Sequence, residues 1–115
     1  MPRRITRSKY GAVPTIVDNV RFASKREATR YSHLKLLEQQ GIIRGLIWDK
    51  KDLRWPLEVN GTLICTYEAD FFYECQSDNG DWCEITEDAK GFKTPAYRLK
   101  KKLMKAIHNI DIQEI

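Results

Sequence analysis

Two Asn-Gly dipeptides constrain the fold of this 115-residue chain more than any other feature of its sequence. Asn60-Gly61 and Asn79-Gly80 each lie between stretches with the composition of β-strands. Asn-Gly favours the two-residue turns that join antiparallel strands, because both residues tolerate positive φ angles. We therefore expect a strand ending at Val59, a second running from Thr62 to about Cys75, and a third running from Trp82 to Lys90.

One helix is predicted before these strands in the chain and another after them. Ser24 is a suitable N-cap for a helix from about residue 25 to residue 40, and Gly41 is a suitable stop. Thr94-Pro95 supplies an N-cap followed by a proline at the first helical position, so a second helix should run to about Ile107. A hairpin turning at Asp18-Asn19 precedes the first helix, and a short strand near Ile112 follows the second.

This order of elements predicts an α/β (α+β) fold, in which a central mixed β-sheet is flanked by helices. The length suits one domain, which we assign to residues 14–115, with residues 1–13 as a flexible basic arm. No apolar run approaches the roughly 18–20 residues of a membrane span, and the N-terminus lacks the apolar stretch of a signal peptide. Three cysteines without a CxxC pair predict reduced thiols and a cytoplasmic protein.

Charge is segregated along the chain. Residues 3–9 and residues 90–105 carry bases without an acid, whereas residues 55–89 carry nine acids and no lysine or arginine. Each run is also typical of a solvated surface. Basic segments attract phosphates, and an acidic patch repels them unless it holds a cation. The combination therefore favours phosphate chemistry assisted by a divalent metal.

Strand periodicity brings several of these acids together. Asp88 and Lys90 share one face of their strand, and Glu87 should lie on the opposite face. The turn at Asn79-Gly80 makes the preceding strand a neighbour, so Asp70 can face Asp88 and Lys90, with Glu68 as its rival. Asp88 and Lys90 could also form a simple surface ion pair.

Glu27 is the fourth candidate. It shares the predicted buried stripe of the first helix with Tyr31 and Leu34, where a carboxylate is costly unless it is paired or binds a metal. Its spacing from Ser24 equally fits a capping box. An acid, an acid-x-lysine pair and a helical glutamate together suit metal-assisted phosphodiester hydrolysis, because carboxylates bind Mg²⁺ and a lysine can stabilise developing negative charge.

Asp70, Asp88-Ala89-Lys90 and Glu27 resemble the signature of the PD-(D/E)XK nuclease superfamily. The resemblance implies an αβββαβ core of the restriction-endonuclease type, preceded here by an N-terminal hairpin. The chain is also similar to a small family of phage- and prophage-encoded endonucleases that includes Holliday junction resolvase-like proteins. The stretches that carry this second similarity are Phe22–Tyr31, Tyr67–Phe71 and Glu87–Thr94.

The resemblance implies a role for each site residue. Asp70 and Asp88 would be metal ligands, with the Ala89 carbonyl as a third. Lys90 would be the catalytic lysine. Glu27 would either complete the metal site or hold the metal ligands in position. The implied cofactor is Mg²⁺ or Mn²⁺.

The sequence departs from the pattern at two places. Ala69 stands where the superfamily's name has proline. Residues 48–51 read Trp-Asp-Lys-Lys, where close relatives are expected to have a Gln-Pro pair. The second departure leaves the substrate contacts of that segment open.

The second helix is expected to bind DNA. It begins shortly after Lys90, and the free amides and positive dipole end of a helix N-terminus suit a phosphate. A well-solubilised surface helix would carry similar residues. The predicted DNA contacts are Lys93, Thr94, Arg98, Lys101, Lys102 and Lys105.

These observations predict a divalent-metal-dependent DNA endonuclease that hydrolyses phosphodiester bonds. The family resemblance implies structure-selective cleavage of branched DNA or Holliday junctions in phage DNA metabolism, a homodimer, and the host cytoplasm as the location. Two alternatives stay open: a catalytically inactive nucleic-acid-binding module of the same fold, and a phage adaptor that binds a host protein.

Overall fold

The computed structural model describes residues 13–115, so the expected basic arm lies outside the described residues except for Val13. Two helices, eight strands and a short 3-10 turn at Lys50–Asp52 follow one another along this part of the chain. In chain order, the strands and helices are β1 (Thr15–Val17), β2 (Val20–Phe22), α1 (Lys25–Gln39), β3 (Ile43–Ile47), β4 (Arg54–Val59), β5 (Thr62–Glu68), β6 (Phe71–Gln76), β7 (Trp82–Asp88), α2 (Pro95–His108) and β8 (Ile112–Glu114).

Four strands form a central mixed sheet in the order β3-β6-β7-β8. The β3–β6 and β6–β7 pairs are antiparallel, and β7 and β8 are parallel. A parallel pair needs a long crossover connection, which α2 supplies here. The β1–β2 hairpin and the β4–β5 hairpin form two separate two-stranded ribbons. The predicted α+β class with a mixed central sheet is confirmed, and α1, β3, β6, β7, α2 and β8 follow the αβββαβ order.

Local turn and cap residues explain most of these elements. Asp18 and Asn19 have φ angles of 51° and 63°, and Asn60 and Gly61 have φ angles of 51° and 80°, as two-residue turns between antiparallel strands require. The predicted N-caps are also present. The Glu27 N–H donates to the hydroxyl of Ser24, and the Tyr97 N–H donates to that of Thr94.

The prediction of one strand from Thr62 to about Cys75 is wrong. The chain breaks at Ala69-Asp70, so that β5 pairs with β4 in the ribbon while β6 joins the central sheet. At the break the Ala69 N–H donates to the Leu53 carbonyl, and the Asp70 N–H donates to the Glu87 carbonyl. Asp70 consequently occupies a turn between two sheets and is not part of a strand ladder.

The two helices cover opposite faces of the central sheet. Phe71 of β6 packs with Tyr31 and Leu34 of α1, whereas Phe72 packs against a second cluster that includes Met104 of α2. Neighbouring residues of one strand thus enter different cores, as strand periodicity requires. Neither helix in residues 13–115 is long and apolar enough to cross a membrane.

Candidate metal centre and nucleic-acid surface

Asp70 and Asp88 meet at one end of the central sheet, where β7 ends and β6 begins. The Asp70 N–H donates to the Glu87 carbonyl over 3.1 Å, and the Ala89 N–H donates to Asp70 Oδ2 over 2.8 Å. These bonds hold the turn before β6 against the end of β7. The carboxyl groups of Asp70 and Asp88 are close enough for each to shift the pKa of the other.

Asp88 is buried without full compensation of its charge. Its Oδ2 accepts a hydrogen bond of 2.5 Å from the Tyr67 hydroxyl, whereas its buried Oδ1 accepts none. The Lys90 ammonium lies 3.4 Å from Oδ1 as an ion-pair partner. Burial and the adjacent Asp70 carboxylate raise the pKa of Asp88 to about 7, since they outweigh the opposing effects of Tyr67 and Lys90.

Lys50 also reaches this site, although the sequence pattern does not predict it as a site residue. Its Nζ lies 2.9 Å from Glu27 Oε1 and 3.0 Å from Asp70 Oδ1. Burial would lower the pKa of Lys50, but the two carboxylates outweigh burial and raise it. Burial would likewise raise the pKa of Asp70, but the Lys50 ammonium and neighbouring hydrogen bonds lower it. No local pattern distinguishes Lys50 from Lys51, and only the 3-10 turn directs Lys50 into the site.

Glu27 belongs both to the first turn of α1 and to the acidic cluster. The Ser24 hydroxyl donates to Glu27 Oε2 over 3.3 Å, while Oε1 forms the ion pair with Lys50. Burial, followed by repulsion from Asp70, raises the pKa of Glu27. The Glu27 carboxylate thus contacts the hydroxyl of the N-cap residue, where a capping box would have it accept from the N-cap N–H, and it also belongs to the acidic cluster.

The oxygen atoms of this cluster fit a hard divalent cation. The buried oxygens Glu27 Oε1 and Asp88 Oδ1 accept no hydrogen bond, and only the ammonium groups of Lys50 and Lys90 offset the cost of their burial. Carboxylate and carbonyl oxygens are the ligands that Mg²⁺ prefers. Within residues 13–115, no three His, Cys, Asp or Glu side chains already stand at the spacing of a metal site. The carboxylates would therefore have to adjust around an ion.

Glu87 points away from the cluster, as strand alternation predicts. Its carboxylate accepts hydrogen bonds from Arg30 Nε at 2.9 Å and Arg30 Nη2 at 2.6 Å, and a further one from the Tyr73 hydroxyl. A bidentate guanidinium is the strongest partner that a carboxylate finds in proteins. The Glu87 carboxylate is thus held by Arg30 and Tyr73 on the α1 side of the sheet, where it has a structural role.

Five of the six predicted DNA contacts line one groove of about 520 Å³ beside α2 and β8, namely Lys93, Arg98, Lys101, Lys102 and Lys105. Thr94 caps α2 instead. Acids of the same groove engage part of this positive charge, because Glu114 pairs with Lys93 and Lys101 while Asp111 pairs with Lys105. Hydrogen bonds from Tyr97, Lys101 and Lys93 lower the pKa of Glu114 to about 2.

A second basic groove, which was not predicted from the sequence, runs along α1. It has a volume of about 450 Å³, and Lys25, Arg26, Arg30 and His33 are among its lining residues. The signal available in the sequence was the Lys25-Arg26 pair at the start of the helix that carries Glu27. The helix that carries Glu27 and the helix that follows Lys90 thus both expose basic side chains.

Comparison with known proteins identifies the family. Residues 7–113 match the family described as protein of unknown function (DUF1064), and the chain belongs to that family. No curated protein and no solved structure matches the chain.

Proposed function

We propose that this member of the DUF1064 family is a divalent-metal-dependent DNA endonuclease of the PD-(D/E)XK type. The observation that carries the proposal is the pair of buried, adjoining carboxyl groups of Asp70 and Asp88, with the Lys90 ammonium 3.4 Å from Asp88. Buried carboxyl groups with opposite pKa shifts are typical of functional sites. Neither a surface ion pair nor a helix cap accounts for this arrangement.

The ion would be held by Asp70, Asp88 and the Ala89 carbonyl, with Glu27 completing or supporting the site. A bound Mg²⁺ or Mn²⁺ supplies polarisation of the scissile phosphate and a lowered pKa for attacking water. The Ala89 N–H fixes the orientation of Asp70. Lys90 would stabilise negative charge that develops on the phosphate. Its ammonium lies 4.9 Å from the centre of the Tyr97 ring, near the start of α2.

DNA is the proposed substrate because the helix that carries Glu27 and the helix that follows Lys90 both expose basic side chains. Arg98 and Lys102 are exposed in the α2 groove, and Lys25 and Arg26 are exposed on α1. Such contacts would hold phosphates and position the backbone without reading bases. Phosphate contacts carry no sequence information and suit selection by DNA shape. We therefore propose branched DNA such as a Holliday junction as the substrate, in phage DNA metabolism and with a homodimeric enzyme.

One observation favours a second candidate function, a nucleic-acid-binding module of the same fold without catalysis. Lys50 already neutralises part of the acidic cluster, since its ammonium pairs with both Glu27 and Asp70. In that case DNA binding would depend on salt and would be unaffected by Mg²⁺ or by Asp88→Asn.

A cleavage panel separates the two functions. Linear duplex, single-stranded, flapped and four-way-junction DNA would be incubated with Mg²⁺ or Mn²⁺ and the full chain. We expect metal-dependent nicking of branched DNA, reduced at least about a hundredfold by Asp88→Asn or Lys90→Met in chains that remain folded. Glu84→Gln, an exposed carboxylate of the same strand, is the matched control and should cleave normally. Metal-independent binding without nicking of any DNA would reject the nuclease and favour the binding module.

A further inference from the structure

The ammonium of Lys50 occupies the space between two buried carboxylates. It lies 2.9 Å from Glu27 Oε1 and 3.0 Å from Asp70 Oδ1, while Asp70 itself adjoins Asp88. Lys90 cannot take over this role, because its ammonium lies beside Asp88. Glu27 and Asp70 therefore depend on Lys50 for charge compensation in the metal-free protein.

Lys50 can also leave this position. Its side chain is 36% exposed, whereas those of Glu27 and Asp70 are 7% and 9% exposed. A lysine carries its charge on a flexible four-carbon stem, and here that stem starts from a short surface turn. Movement of the ammonium into solvent would leave the two carboxylates in place and uncover oxygen atoms that suit a divalent ion.

We propose that Lys50 is the resident counter-cation of this site and that a divalent metal binds by displacing its ammonium. This inference rests on the proposed metal-dependent function and adds a role for a residue outside the PD-(D/E)XK pattern. The cluster without metal is then held together by a lysine, and the cluster with metal by the ion. Both cations compete for the same carboxylate oxygens.

A purely structural role for Lys50 predicts the opposite change. If the ammonium only held Glu27 and Asp70 in place for a metal, its removal would disorder the ligands and weaken metal binding, typically by about 10- to 100-fold. Competition predicts tighter binding, because removing the ammonium removes like-charge repulsion of the incoming ion. The sign of the change in affinity therefore separates the two roles.

The test compares Lys50→Met with Lys51→Met in the full chain. Lys51 is the matched control, because its side chain is 72% exposed and pairs only with the exposed Asp49 among the described residues. Isothermal titration with Mn²⁺ should show roughly tenfold or greater tightening for Lys50→Met and unchanged affinity for Lys51→Met. Weaker or unchanged affinity for Lys50→Met, or equal tightening in both variants, would overturn the proposal.

A measurement on the unmutated chain covers the case in which Lys50→Met does not fold. With ¹³C-labelled lysine side chains, saturating Mg²⁺ should shift the Lys50 Cε resonance towards that of a solvated lysine and leave the Lys51 resonance unchanged. A Lys50 signal that does not move at saturation would overturn the displacement, as would the absence of any metal binding.

The change in metal affinity of Lys50→Met can be measured independently of DNA cleavage. Tighter metal binding by Lys50→Met in a protein that cuts no DNA would support displacement and reject the nuclease. Metal-dependent cleavage by a protein whose affinity falls in Lys50→Met would support the nuclease and reject displacement.

Discussion

Glu87 and Asp88 are consecutive residues of β7 and each is only 1% exposed, yet their carboxyl groups differ in how many hydrogen bonds they accept. Glu87 accepts two hydrogen bonds from the Arg30 guanidinium and a third from the Tyr73 hydroxyl. Asp88 accepts one from Tyr67 and leaves its other oxygen without a donor. Burial of an acid alone therefore does not mark a functional site, and incomplete compensation of the buried charge is the more informative sign.

The difference has a physical basis in the two faces of the sheet. The hydrogen bonds of a bidentate arginine help to offset the desolvation of a buried carboxylate. Asp88 instead faces Asp70, whose carboxylate disfavours ionisation of Asp88. One face thus holds a fixed ion pair, while the other holds acids that a cation would stabilise.

The largest contrast is expected in stability. Arg30→Met leaves Glu87 buried without its cation, so we expect the free energy of unfolding to fall by about 3–5 kcal/mol. Asp88→Asn removes a poorly compensated charge, so it should leave stability unchanged or increase it. Urea unfolding in EDTA at about pH 7.5 measures the free energy of unfolding of both variants. A loss for Asp88→Asn as large as that for Arg30→Met would remove the distinction between the two carboxylates.

The second contrast is in pH dependence. Because the pKa of Asp88 is raised from 3.8 to about 7 on folding, the folded state binds its proton more tightly. This contribution to stability is fully present below about pH 4 and is lost as the pH rises towards and through 7. Relative to the unmutated chain, Asp88→Asn should therefore gain about 2–3 kcal/mol between pH 5 and pH 8.

Paired unfolding curves at the two pH values, without metal, would measure this gain. Glu84→Gln on the same strand controls for the change in net charge and should show no comparable gain. A constant difference between Asp88→Asn and the unmutated chain at both pH values would contradict the raised pKa.

The smallest contrast concerns the surfaces on the two sides of the sheet. Arg30 in the α1 groove is committed to Glu87, whereas Arg98 and Lys102 are exposed in the α2 groove. Replacing Arg98 or Lys102 by glutamine should lower the slope of log affinity against log salt by about 1 for each lost phosphate contact. Fluorescence anisotropy with a labelled junction at several salt concentrations measures the slope.

Lys25→Gln on α1 is the comparison for these α2 variants. A reduced slope for Lys25→Gln as well would extend the DNA surface across both helices. Unchanged slopes for Arg98→Gln and Lys102→Gln would contradict a DNA-binding role for the α2 groove.

Elements with local signals were predictable from the sequence. The Asp18-Asn19 turn, the Ser24 cap and the Thr94-Pro95 start of α2 depend on residues close together in the chain, and each is present as predicted. The opposite orientations of Glu87 and Asp88 followed from strand periodicity in the same way.

The remaining features depend on contacts between distant segments. The break at Ala69-Asp70 depends on carbonyl groups of Leu53 and Glu87, and the strand-like composition continues through it. The place of Lys50 in the site depends on a surface turn that brings it to Glu27 and Asp70, across 23 and 20 positions of the chain. Local propensity contains no information on either contact.

The central claim is that Asp70 and Asp88 together hold a divalent cation. Anomalous diffraction from crystals soaked in Mn²⁺ tests it most directly, with Asp88→Asn crystals treated identically. We predict one strong anomalous peak in contact with both carboxylates in the unmutated chain and its loss in the variant. A site without a peak at saturating Mn²⁺, or a peak that persists in Asp88→Asn, would contradict the claim.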